Sequence, residues 1–81
     1  MLTGDQIRMA RSALKWSVSD LAGAAKVGIS TIHRIEAAPG LPRTSTRTMA
    51  AVQGAFERAG IRFKRHKNEV GVFKIEGVNQ Q

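Results

Sequence analysis

Apolar residues recur at helical spacing through Gly60, and beyond it the period changes. Ile7, Ala10 and Leu14 form one stripe running to about Lys15, the mark of a first amphipathic helix. Thr3 can cap it, Gln6 can answer Thr3 as a capping box, and Leu2 can pack on Ile7 as a hydrophobic staple. The same grammar recurs at once. Ser17 and Asp20 are spaced as cap and reply, with Trp16 against Leu21, so a second helix is predicted over Val18 to about Ala25. Its inward residues are Val18, Leu21, Ala22 and Ala25, and its small side chains allow another backbone to approach closely.

After Lys26 the pattern restarts. Gly28 is an acceptable cap, and a third helix is predicted from Ile29 to about Ala37, with Ile29, Ile32 and Ile35 three apart. Pro39-Gly40-Leu41-Pro42 ends it. Thr44, Ser45 and Thr46 are candidate caps for a fourth helix whose stripe is Met49, Val52, Phe56 and Ala59, closed by Gly60 in a left-handed conformation. Ile61 to Arg65 then alternates apolar with basic, and Val72 to Ile75 is β-prone. A hairpin is expected, with its turn between His66 and Gly71, where Asn68 and Gly71 lie. The predicted fold is therefore mainly α: one domain of four helices over 1–60, a β-hairpin over 61–76 belonging to the same domain, and a frayed tail at 77–81.

Charge changes the picture most. The chain has 81 residues, with 13 Lys and Arg against 6 Asp and Glu, a net +7. Such an excess on so small a surface favours polyanions, because each neutralised phosphate releases condensed counterions. Charge alone does not separate DNA from RNA or from an acidic membrane. A chain this short buries only roughly 60% of its unfolded surface, leaving no room for a second module or a sizeable effector pocket. There are no cysteines, so disulfides and cysteine-ligated zinc are excluded. No stretch resembles a signal peptide or a membrane span, and a cytoplasmic protein is expected. Enzyme readings fail on chemistry: there is no Gly-rich phosphate loop, no nucleophile with a base, and no close carboxylate pair. His33 and His66 lack companions at metal spacing, so neither metal nor cofactor is expected.

Two short helices joined by about three residues, the first rich in alanine, describe a helix-turn-helix at about 18–37. The run from Leu21 to Glu36, LAGAAKVGISTIHRIE, resembles the phage-repressor and Cro-type, or XRE-type, DNA-binding family. That family's pattern is a Leu-Ala pair, a turn, then Ser-Thr-Ile-x-Arg-Ile-Glu. The resemblance spans about Leu2 to Phe63 and is most specific from Ser30 to Glu36. Two positions depart from it. Lys26 stands where the family has a left-handed glycine, a conformation that costs a side chain roughly 1 kcal/mol or more. Val18 stands where a phosphate-contacting glutamine often opens the second helix, which leaves that contact to Ser17, Ser19 or backbone amides.

The resemblance implies that the third helix lies in a DNA major groove, with Ile29, Ser30 and Arg34 reading bases and His33 next to them. From the residues alone, Ile29 divides between core edge and thymine contact, Ser30 is equally a plain first-turn residue, and Arg34 a solvated arginine. The resemblance further implies that Arg43, Thr44 and Arg47 grip phosphates beyond the helix, that Lys15 and Ser17 grip from the other side, and that Glu36 pairs with Arg11 as a structural tie. The function implied is a sequence-specific regulator of transcription, a repressor of Cro-like simplicity controlled by its concentration or by a partner. A homodimer is expected, because one short helix reads few base pairs. Ile61, Phe63, Val72, Phe73 and Ile75 are candidates for its interface, as the hairpin holds more apolar surface than four helices need. The alternative is an antitoxin or adaptor that binds a protein such as a toxin and uses DNA for autoregulation. RNA binding ranks third, with only three Phe, one Trp and no Tyr for stacking.

Overall fold

The computed structural model describes residues 1–77. Four helices are followed by an antiparallel hairpin: α1 (Gly4–Leu14), α2 (Val18–Ala25), α3 (Ile29–Ala37), α4 (Thr46–Arg58), β1 (Ile61–His66) and β2 (Glu69–Lys74). The expected tail at 77–81 lies, after Gly77, outside the described residues.

Local chemistry sets the helix starts. Gln6 N–H donates to Thr3 Oγ1 at 3.1 Å and Thr3 N–H donates back to Gln6 Oε1 at 3.0 Å. Ser17 and Asp20 make the same reciprocal pair, both bonds at 2.9 Å. Ser45, one of three candidates, is the residue that caps α4, accepting from Thr48 N–H at 3.0 Å. Each such cap satisfies donors that the helix itself leaves unpaired and contributes about 1 kcal/mol.

The helix ends are set by backbone reversals. α1 stops at Leu14, one residue short of expectation, because Lys15 turns into the left-handed region (φ 57°, ψ 37°). Lys26 does the same after α2 (φ 57°, ψ 46°), so the turn is not shifted to avoid strain at the lysine. In both, the following N–H bonds the carbonyl five residues back, Trp16 to Arg11 at 2.8 Å and Val27 to Ala22 at 3.0 Å. These two closures reverse the chain within one residue. Gly60 ends α4's run with φ 94° and accepts from Ile75 N–H at 2.8 Å, which starts the hairpin in register.

Ile7, Leu21, Ile32, Ile35, Val52, Phe56 and Ile61 are fully buried and form one core with Leu2, Ala10 and Met49. On α4 it is Ala55, not Ala59, that is buried beside Phe56. Val18 and Leu14 are half-buried at its margin. Trp16 stacks on Phe56 with ring centroids 5.7 Å apart, so it packs inward and offers no free ring. Phe63 also packs on Phe56, in an edge-to-face arrangement with centroids 5.7 Å apart.

The hairpin corrects two expectations. Its turn is the pair Lys67-Asn68, with Lys67 at φ 57°, while Gly71 lies inside β2 opposite Lys64. More consequentially, its apolar surface is largely spent within the chain. Ile61 is 1% exposed and part of the core, and Phe63 and Val72 pack against it half-buried. Ile61 is therefore withdrawn as a dimer candidate; paired residues in a ladder share a face, and the half-buried Phe63–Val72 pair lies on the same face as Ile61, packed against the core. Phe73 pairs with Arg62 on the opposite face, is 53% exposed, and has Lys64 Nζ 5.4 Å from its ring centre. Ile75 is half-buried.

One close approach fixes how α1 meets α3. A Cβ added at Gly4 would stand 2.8 Å from the Glu36 carbonyl oxygen and 2.9 Å from that of Ile35. Backbone lies on both sides, so relief requires the helices to part. Gly4→Ala is expected to destabilise the fold by about 1–3 kcal/mol, the usual effect of overpacking; a thermal melt checks this, and an unchanged midpoint would contradict the close contact.

Candidate nucleic-acid interface

α3 divides its residues sharply. Ile32 and Ile35 are 0% and 1% exposed, and Glu36 is 6% exposed. Ile29, Ser30, His33 and Arg34 lie on the solvent side, with Ile29 47% exposed, and Thr31 is half-buried between the two sides. An isoleucine with half its surface in water at the first position of a helix contributes little to the core, so the choice between core edge and outward contact falls on the outward side.

The inward acid is held by α1. Arg11 donates from Nε to Glu36 Oε2 at 2.6 Å and from Nη2 to Oε1 at 2.9 Å, a two-point fork, and its Nη1 donates to the Trp16 carbonyl at 3.0 Å. The hydrogen bond to Glu36 raises the Arg11 pKa above its ordinary value against the opposing effect of burial. A raised arginine pKa contributes stability at every pH below its ordinary value and loses it only in strong alkali, so the cation persists throughout the neutral range. Arg8, which sequence reasoning passed over, donates to the Glu36 backbone carbonyl and to the Asp5 carboxylate. Three features of α1, namely Gly4, Arg8 and Arg11, thus converge on the last turn of α3.

This arrangement decides the electrostatics of 29–47. Glu36 is the only acid in that stretch, and it is buried and neutralised. Arg34, Arg43 and Arg47 are exposed, and among the described residues none has an acidic partner; the two ion pairs present are Arg8–Asp5 and Arg11–Glu36. Arg34 and Arg43 come together at one cleft of about 340 Å³, with Ala38, Pro39 and Leu41 as the rest of its wall. Leu41, 49% exposed and lining the same cleft as the two arginines, is a residue that sequence reasoning missed; its Pro-Gly-Leu-Pro setting reads only as a helix stop.

The remaining expected contacts are more dispersed. Lys15, Ser17, Ser19 and Arg47 are exposed, Thr44 is half-buried, and none of them lines the Arg34–Arg43 cleft. Ser17 Oγ already accepts from Asp20 N–H, but its hydroxyl proton is free of any intramolecular bond among the described residues and can be offered to a phosphate oxygen. Among the described residues no three His, Cys, Asp or Glu side chains are grouped to hold a metal ion, and no helix is long and apolar enough to cross a membrane. Compared with known proteins, the chain matches no family model and no curated protein.

The Arg11–Glu36 fork is testable by itself. Arg11→Ala leaves a buried carboxylate without its cation and is expected to cost about 3 kcal/mol, at the lower end for such pairs because Arg11 is partly solvated. Chemical denaturation measures this; a loss under 1 kcal/mol, the range of an exposed pair, would show that the carboxylate finds other partners.

Proposed function

We propose that this chain is a sequence-specific double-stranded DNA-binding regulator of transcription, of the XRE or Cro-like kind, and that it acts as a repressor by occupying an operator. The observation that carries the reading is the sorting of charge on α3, the loop after it and the first turn of α4: the one acid is turned inward and neutralised, while Arg34, Arg43 and Arg47 face outward with no acidic partner among the described residues. Phosphates are the natural complement of such a surface. A chain working this way resides in the cytoplasm, on the nucleoid.

In this reading α2 and α3, joined by Lys26 to Gly28, act as a helix-turn-helix, and α3 enters a major groove roughly 12 Å wide. Ser30 donates or accepts at a base edge, Ile29 packs on a thymine methyl, His33 touches base or phosphate, and Arg34 reaches guanine O6 and N7 with two parallel bonds. Arg43, Thr44 and Arg47 hold backbone on one side, with Lys15, Ser17 and Ser19 on the other. Phosphate contacts set position and orientation without reading sequence. The exposed surface left on the hairpin, centred on Phe73 with Ile75 nearby, is what supports a homodimer, and it would equally serve a protein partner in the antitoxin or adaptor reading.

Fluorescence anisotropy on a selected duplex separates the two kinds of contact. Arg34→Ala is expected to cost about 1–3 kcal/mol and to relax preference at one base position. Arg43→Ala and Arg47→Ala are expected to weaken all sequences alike and to make the salt dependence shallower by about one unit each. Unchanged affinity and selectivity in Arg34→Ala would overturn the reading face. For the dimer, sedimentation of Phe73→Ser is expected to give a monomer that keeps its fold, and a dimer of undiminished stability would place the interface elsewhere.

A further inference from the structure

Among the described residues, the non-glycine residues with positive φ are Lys15, Lys26 and Lys67, each at φ 57°. All of them are lysine, although glycine fits this conformation without strain and asparagine tolerates it. The fold asks nothing of the side chains: all are exposed, and among the described residues none of their ammonium groups makes a hydrogen bond or an ion pair. Lys15 and Lys26 stand at helix C-termini, where the helix dipole favours a cation, but by no more than the left-handed conformation costs a side chain, so the fold by itself gives lysine no advantage over glycine there.

Two of the three occupy equivalent places. Lys15 is followed by the core-packed Trp16 and by Ser17, the cap of α2; Lys26 is followed by the core-packed Val27 and by Gly28, the cap of α3. The same backbone closure sits behind each, so each lysine leaves the chain at the same step before the next helix opens. Lys15 thereby precedes Ser17 and Ser19 by two and four residues in the chain, and Lys26 precedes Ile29 and Ser30 by three and four. Lys67 has the same backbone conformation but sits at the tip of the hairpin, which packs on α1 and α4.

We propose that Lys15 and Lys26 are a matched pair of phosphate grips, one ahead of each helix of the α2–α3 unit, and that the left-handed strain is tolerated for their charge. Lys26, which sequence reasoning treated only as a departure at the turn, thereby becomes part of the DNA-binding surface. The inference rests on the proposed DNA-binding function, and its test distinguishes the two.

The test uses Lys15→Gly, Lys26→Gly and Lys67→Gly in the full chain, with Lys26→Arg as the charge-preserving companion. Each is melted, and each is titrated against a duplex selected from a random library over a range of potassium chloride concentrations. Glycine relieves the strain at all three sites, so no glycine variant is expected to melt lower than the parent chain. Lys15→Gly and Lys26→Gly are expected to bind several-fold more weakly at low salt, with the salt dependence shallower by about one unit each. Lys26→Arg and Lys67→Gly are expected to keep the parent slope. Parent slopes in both Lys15→Gly and Lys26→Gly would overturn the grip while leaving DNA binding intact. A parent chain that binds no duplex would overturn the DNA-binding function and this inference together. An equal loss in Lys67→Gly would also overturn the pair, by making the effect one of total charge.

Discussion

The fork from Arg11 to Glu36 is the constraint on which the rest depends, because it settles two problems at once. It ties the last turn of α3 to α1 where Gly4 lets the two backbones close and Arg8 bonds the Glu36 carbonyl. It also removes from the surface the one negative charge that α3 and its following loop possess. A buried carboxylate is costly when alone and tolerable when forked by a guanidinium. The same contact that orients the helix therefore leaves its outward side purely cationic, and orientation and electrostatics cannot be varied separately.

From this joint the molecule divides its labour. Ile32 and Ile35 of α3 seat it on a core that includes Phe56, on which both Trp16 and Phe63 pack. Rigid seating matters for a surface proposed to read base edges, since bidentate contacts tolerate little misplacement. The hairpin contributes Ile61 and Phe63 inward, and so acts first as a fifth wall of the core. Its opposite face, around Phe73, is the more exposed of the two.

How much of this was legible from residues alone follows physical locality. Thr3–Gln6 and Ser17–Asp20 could be read off the sequence because a capping box is closed by residues three apart, whatever surrounds them. The outward side of α3 was legible for a similar reason, as helical periodicity separates Ser30 and Arg34 from Ile32 and Ile35. The left-handed Lys15 was not, because no residue preference announces a lysine in that conformation; the demand comes from reversing the chain between two packed helices. Nothing in the sequence marks Gly4, since the carbonyls it approaches are more than thirty positions away in the chain. Ile61 was assigned to an interface because alternation in a strand says which residues share a face but not which face docks. That Arg34 and Arg43 line one cleft with Leu41 depends on the path of the Pro-Gly-Leu-Pro loop, which composition marks only as a break.

The claim at the centre is that the outward side of α3 reads duplex sequence. Selection of bound duplexes from a random library by the purified chain tests it most directly. The account predicts enrichment of an inverted repeat whose half-sites lie about 34–36 Å apart, one helical turn, and loss of that enrichment with Arg34→Ala. Recovery of duplexes indistinguishable from the starting library would contradict it.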